Sequence, residues 1–113
     1  MVLRHLKTLK EYCFSYHRSF SLTIGTVKLD IAEQTRGCLA NLRRILAEVK
    51  ADLSHVVDMT VFLVDMKDYQ GMNAVYNEHF IAESGPTRTT VAVHQLPHPH
   101  LVIEIKAVAV LPK

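Results

Sequence analysis

Two β-branched runs near the C-terminus carry ionisable side chains where strands usually carry none. RTTVAVHQ occupies residues 88–95 and LVIEIKAVAV occupies 101–110. Period-two alternation puts Arg88, Thr90, Ala92 and His94 on one side of the first run. It puts Val102, Glu104, Lys106 and Val108 on one side of the second. A guanidinium is a rigid two-pronged donor suited to a carboxylate or phosphate. A glutamate can hold a water and take its proton during attack on an electrophilic carbon. The joint between the runs, LPHPH, holds two prolines and is not strand. A hairpin with a roughly five-residue connection follows, pairing Gln95 opposite Leu101. In that register Arg88, Thr90, His94, Glu104 and Lys106 share one wall. Thr89, Val91 and Val93 share the apolar wall with Leu101, Ile103, Ile105 and Ala107. The competing reading of the polar wall stays open here: a solvated outer face, held by cross-strand pairs of about 0.2–1 kcal/mol each.

His94, His98 and His100 bracket the joint. Three histidines raise the question of zinc, but no Cys, Asp or Glu joins them at ligand spacing. No metal site is expected, and the histidines read as a rim for an anionic substrate. His79 falls on a helical stripe and reads as a packed side chain. The two cysteines, Cys13 and Cys38, form no CxxC pair. They are too few for a disulfide scaffold, so a reducing, cytoplasmic setting is the expectation, with Cys38 a small hydrophobe. No GxSxG, HExxH or Gly-rich phosphate loop is present.

The elements that must position these groups can be bounded. With 113 residues, 49% hydrophobic and 21% charged, the chain is sized for one packed domain, 1–113. No apolar run approaches the ~20 residues that cross a bilayer. The net charge is only +2, and no basic stripe with interleaved aromatics appears, so a nucleic-acid partner is not expected. Positive charge gathers in residues 1–28, where Arg4, Lys7, Lys10, Arg18 and Lys28 face Glu11 alone. Such a segment reads as a surface-lying N-terminus or as a targeting sequence.

Phe20, Leu22 and Ile24 alternate with Ser19, Ser21 and Thr23, which suggests a strand within 11–25. Residues 31–50 carry the clearest helical pattern. Asp30 stands at the cap with Glu33 three residues on, and Ile31, Thr35, Leu39, Leu42, Ile45, Leu46 and Val49 recur at spacings of three and four. Gln34, Arg36, Arg43, Arg44 and Lys50 are expected to face solvent. Residues 55–65 read as a strand with Val57, Met59, Val61 and Leu63 on one oily face. Residues 68–83 read as a second helix capped by Asp68 and ended by Gly85-Pro86, with Tyr69, Met72, Val75, Tyr76, His79 and Phe80 on one stripe. The order is an α+β domain with both helices on one sheet face.

From Ile31 to Val110 the chain resembles the Rid (YjgF-type) family of enamine and imine deaminases. The carrying segments are QTRGCLANLRRIL, VVDMTVFLVDMKDYQGMNAVYNEHF, GPTRTTVAVHQLP and VIEIKAVAV. TRTTVAVHQLPHPHLVIEIKAVA is most similar to the 2-aminomuconate deaminase subgroup. The resemblance implies a chorismate-mutase-like (bacillus type) α+β fold, assembled as a homotrimer with a central barrel and clefts between subunits. It implies hydrolysis of a small enamine or imine carboxylate to a keto acid and ammonia, with no metal or organic cofactor. In that pattern Arg88 clamps the substrate carboxylate, Glu104 orients the attacking water, Asn73 lines the cleft, and Thr90 fills a small polar position beside them. His94, His98 or His100 could supply the group for a second carboxylate of a substrate such as 2-aminomuconate. Residues 1–28 depart from the pattern: the family's Gly-Pro-Tyr segment and Ser-Gly-Gln-like strand end are missing, and Tyr12 and Tyr16 only stand in for its cleft tyrosine. That departure raises the alternative of a non-catalytic, carboxylate-binding or regulatory member.

Overall fold

A computed structural model describes residues 5–12, as backbone, and 30–111. The strand expected within 11–25 falls largely on residues 13–29, outside the described residues, as does Tyr16. The elements are β1 (His5–Tyr12), α1 (Ile31–Glu48), a 3₁₀ turn (Leu53–His55), β2 (Val56–Leu63), a second 3₁₀ turn (Met66–Asp68), α2 (Tyr69–Tyr76), β3 (Thr87–Ala92) and β4 (Ile103–Leu111). They form a mixed sheet in the order β1-β4-β2-β3.

The helix α1 starts where the cap places it. The Asp30 carboxylate accepts from the backbone N–H groups of Ala32 and Glu33, at 2.8 and 3.1 Å. Leu39, Leu42 and Leu46 are fully buried and meet Met72 and Val75 of α2 over Met59, Val61, Leu63, Ile103, Ile105 and Ala107 of the sheet. The two helices approach closely at Gly71, where an added Cβ would sit 2.7 Å from Ile31 Cγ2.

The end of α1 differs from the sequence pattern. The helix stops at Glu48, and Lys50 takes a positive φ of 60°. The amides of Lys50 and Ala51 donate to the carbonyls of Ala47 and Leu46, at 3.0 and 2.9 Å. This is a Schellman ending with lysine at the position glycine usually fills, so no glycine announced it. Lys50→Gly relieves the left-handed backbone strain. It is expected to raise unfolding free energy by about 0.5–1 kcal/mol, read by urea denaturation.

The second helix is shorter than the stripe over 68–83. It ends at Tyr76 and gives way to turns before β3. Asp68 makes no side-chain cap bond; Asp65 instead accepts from the amide of Lys67 and caps the 3₁₀ turn in front. In β2 a register shift between Val56 and Asp58 turns Val56 inward and leaves Val57 exposed. Met59, Val61 and Leu63 keep the oily face expected of them.

The hairpin does not form. β3 pairs in parallel with β2, β4 pairs antiparallel with β2, and β2 lies between them. The reason lies in the connection. A hairpin needs a short turn, whereas here the chain leaves β3 at Ala92 and re-enters the sheet at Ile103. That length allows it to step over the end of β2, roughly 10 Å across two strand spacings. The amide of Val93 donates to the carbonyl of Leu63, and the amide of Val64 donates to the carbonyl of Val102. Gln34 then pins the crossing segment. Its Nε2 donates to the carbonyl of His100 at 2.8 Å, and its Oε1 accepts from the amide of Val102 at 2.9 Å. Gln34 was expected to face solvent and is buried. It stands four and eight residues before Cys38 and Leu42, on their inward face, a spacing that outranks its polarity once two backbone partners are supplied. Cys38 is fully buried in the hydrophobic core.

Candidate functional site

Arg88 sits near the start of β3, the edge strand, in register with Met59. Ladder partners share a face, so Arg88 points to the helix side. There it meets one face of α2, supplied by residues 69, 73 and 76 at spacings of four and three. Its Nη1 donates to Asn73 Oδ1 at 2.7 Å, and its Nη2 donates to the Tyr69 hydroxyl at 3.1 Å. The guanidinium carbon lies 4.5 Å from the centre of the Tyr76 ring and 5.7 Å from that of Tyr69.

No carboxylate forms an ion pair with Arg88 among the described residues, whereas Arg36 and Arg44 each have one. Two of its five N–H donors are used on neutral groups, which leaves enough for a two-pronged grip on an anion. Beside it lies a pocket of about 400 Å³, lined by Asn73, Tyr76, Asn77, Phe80, Pro86 and Arg88 among others. Burial pushes the Tyr76 phenol above the usual tyrosine range, the Arg88 charge pulls the other way, and Asp58 adds to the rise. The phenol is neutral at physiological pH.

Thr90 follows two residues on, in register with Val61 and on the same face as Arg88. Its hydroxyl oxygen is buried without a hydrogen-bond partner. Arg88, Asn73 and Thr90 are thus brought to one side of the sheet.

Glu104 is not with them. It pairs with Phe62 of β2 and with Tyr12 of β1, on the side of the pleat opposite Met59, Val61 and Leu63. The expected common wall of Arg88 and Glu104 rested on the hairpin register and is corrected by the parallel one. The two residues are three steps apart along the strands and two strands apart across them. Strand geometry puts their Cα atoms roughly 14 Å apart, with side chains on opposite faces. Glu104 is 6% exposed, which sets it apart from Lys106, an exposed residue on the same face. A solvated outer face therefore describes Lys106 and does not describe Glu104.

His94 and His98 line a different pocket of about 420 Å³, with Val64, Leu96, Pro97 and Leu101. The strand from Arg88 to Ala92 alone spans roughly 13 Å, and His94 lies further still. The carboxylates of a six-carbon diacid are separated by only about half that strand length. Within one chain neither histidine stands where it could share such a substrate with Arg88. His98 Nδ1 accepts from the amide of His100 at 3.2 Å, so this ring also shapes the loop. Among the described residues no group of three His, Cys, Asp or Glu is placed to hold a metal ion, and no helix is long and apolar enough to cross a membrane.

Tyr69 and Tyr76 were read only as members of an apolar stripe. The signal that marks them is the polar residue between them: an asparagine at i+4 and a second tyrosine at i+7 make an aromatic and amide face. Once β3 lies parallel beside β2, the Arg88 side chain meets that face of α2.

These features define a small α+β domain of the chorismate-mutase-like type, with two helices on one sheet face and Arg88 on the strand at one edge of the described sheet. A family model described as Endoribonuclease L-PSP matches residues 20–111. A RutC family protein of Pyrococcus abyssi is 46% identical over 83 residues, 74% of this chain and 64% of its own length. TdcF of Escherichia coli, named as a candidate reactive intermediate deaminase, is 33% identical over 88 residues, 76% of this chain and 67% of its own length. The crystal structure of a YjgF family member from Neisseria meningitidis superposes with a TM-score of 0.71 at 38% identity, covering 77% of this chain and 72% of that one. The chain belongs to the Rid (YjgF-type) family. It spans 64% of the length of the Pyrococcus relatives it matches.

Proposed function

We propose that the protein is a cofactor-independent deaminase of small enamine and imine carboxylates, working as a homotrimer with its sites between subunits. The observation that carries the reading is Arg88: a cation held on three sides by neutral groups, with no carboxylate of the described residues spent on it. The relatives' names point to the same chemistry.

Arg88 binds the substrate's 1-carboxylate. The enamine takes a proton at C3 and becomes an imine. Water adds at C2, forming a C–O bond while the nitrogen gains a proton. The carbinolamine then expels ammonia and leaves the 2-keto acid. Glu104 is the group assigned to take the water's proton and return one to the departing nitrogen. Its place on the far face of the sheet means that a single copy cannot bring it to a ligand on Arg88. A neighbouring copy must present its own Glu104 to the Arg88 cleft, with Asn73 and Thr90 on the anchoring side.

The finer candidate substrate is 2-aminomuconate. Its second carboxylate needs a cation or donor within reach of Arg88, and His94 or His98 of an adjacent copy is the group assigned. The test is release of ammonia and keto acid from 2-aminoacrylate and from enzymatically generated 2-aminomuconate, measured side by side. Stoichiometric release of both products supports the reading. Turnover of 2-aminoacrylate alone removes the diacid and the histidine assignment. The separation of Arg88 from Glu104 favours one second reading, a non-catalytic binder of small carboxylates. Pyruvate binding without release of either product from any substrate would establish that one.

A further inference from the structure

Tyr76 is placed so that its ring, and not its hydroxyl, serves the site. The residue is 6% exposed, and its hydroxyl oxygen is buried with no hydrogen-bond partner. An unpartnered buried hydroxyl costs stability and needs another reason to be tolerated. The ring provides one. It is wedged against Phe80, with centroids 4.7 Å apart, and its face lies 4.5 Å beneath the Arg88 guanidinium carbon. The two hydrogen bonds that Arg88 donates to Asn73 and Tyr69 fix the edge of the guanidinium. The Tyr76 ring fixes its plane, and so the direction of the N–H donors left over. The ring also lines the pocket beside Arg88.

We propose that Tyr76 is a positioning residue for carboxylate recognition, acting through the negative face of its ring on Arg88. The proposal rests on the reading of Arg88 as the carboxylate anchor. A face of opposite polarity would leave the guanidinium ionised but no longer held in the orientation a carboxylate needs. Tyr76 therefore governs substrate binding, not the chemical step.

The test is pyruvate binding by titration calorimetry and turnover of 2-aminoacrylate, on the 113-residue chain and four forms of it. Tyr76→Phe keeps the ring and removes the unpartnered hydroxyl. It is expected to bind pyruvate within about threefold of the parent and to melt at the same temperature or above. Tyr76→Leu is expected to weaken pyruvate roughly five- to twentyfold, raising KM by the same factor and leaving kcat within about twofold. Pentafluorophenylalanine placed at position 76 preserves ring shape and reverses the charge of its face. It is expected to weaken pyruvate like the leucine form, which keeps the question answerable if the leucine form does not fold. Arg88→Ala separates the two layers. If it loses pyruvate while the fluorinated ring binds like phenylalanine, the proposal for Tyr76 is overturned and the anchor stands. If Arg88→Ala binds pyruvate like the parent, the anchor reading falls and takes the proposal with it.

Discussion

Co-expressing an Arg88→Ala chain with a Glu104→Ala chain is expected to restore activity that neither has alone. Each variant by itself should turn over 2-aminoacrylate at no more than roughly 1% of the parent rate, since a positioned acid–base group contributes about 10²–10⁴-fold and a charged anchor a similar factor. Arg88 and Glu104 lie on opposite faces of the sheet of one chain. Under the proposed function, a working cleft takes its arginine from one copy and its glutamate from the next around a closed ring. In randomly mixed rings a cleft receives both intact groups about one time in four. Activity should rise to about a quarter of the parent's when the two chains are made together, and should not rise when separately assembled variants are simply pooled. If both residues served the same cleft from one chain, every mixed cleft would lack one of them. Co-expressed variants at the 1% level would therefore defeat the assignment of the site to a subunit boundary.

The second large effect is expected from the anchor alone. Arg88→Ala should lower kcat/KM for 2-aminoacrylate by about 3–4 kcal/mol, or roughly 100- to 1000-fold, because a two-pronged charge-assisted contact disappears in a pocket that offers no replacement cation among the described residues. Arg88→Lys keeps the charge and loses both the fork and its flat contact with Tyr76. It should recover less than a tenth of the lost efficiency. Steady-state kinetics on the two variants check both numbers. A lysine form that works like the parent would mean the site reads charge alone, and the planar cradle of Tyr69, Asn73 and Tyr76 would have no part in recognition.

The elements were legible in the sequence where a local rule decided them. Asp30 and the leucines of α1 gave the start and inward face of that helix, and the run from Met59 to Leu63 gave the buried face of β2. The faces of single strands were legible, and their arrangement was not. Alternation correctly put Arg88 with Thr90 and put Glu104 with Lys106. What it could not supply was which strand lies beside which, because two adjacent runs separated by prolines look alike whether they pair directly or flank a third strand. That choice turned the two chemical groups to opposite sides. Gln34 was misread, and Tyr76 was read in part, for a related reason. Polarity was taken as a guide to exposure at Gln34, while the stripe rightly placed Tyr76 in the core and gave no sign of the cation over its ring. In each case a partner distant in sequence decides the role: the His100 and Val102 backbone for one, the Arg88 guanidinium for the other. Lys50 shows the same limit at small scale, since its left-handed backbone follows from the fold around it and not from its residue type.

The strand that carries Arg88 has β2 as its only neighbour in the sheet among the described residues. Such a margin is a template on which another extended segment can grow, and Val91, 38% exposed, adds an apolar foothold to it. Its length of six residues and the hydroxyls of Thr87, Thr89 and Thr90 make it a poor seed for fibres. Replacing those threonines with valine or isoleucine would remove that protection, so a more apolar margin would bring precipitation before it brought any change in chemistry.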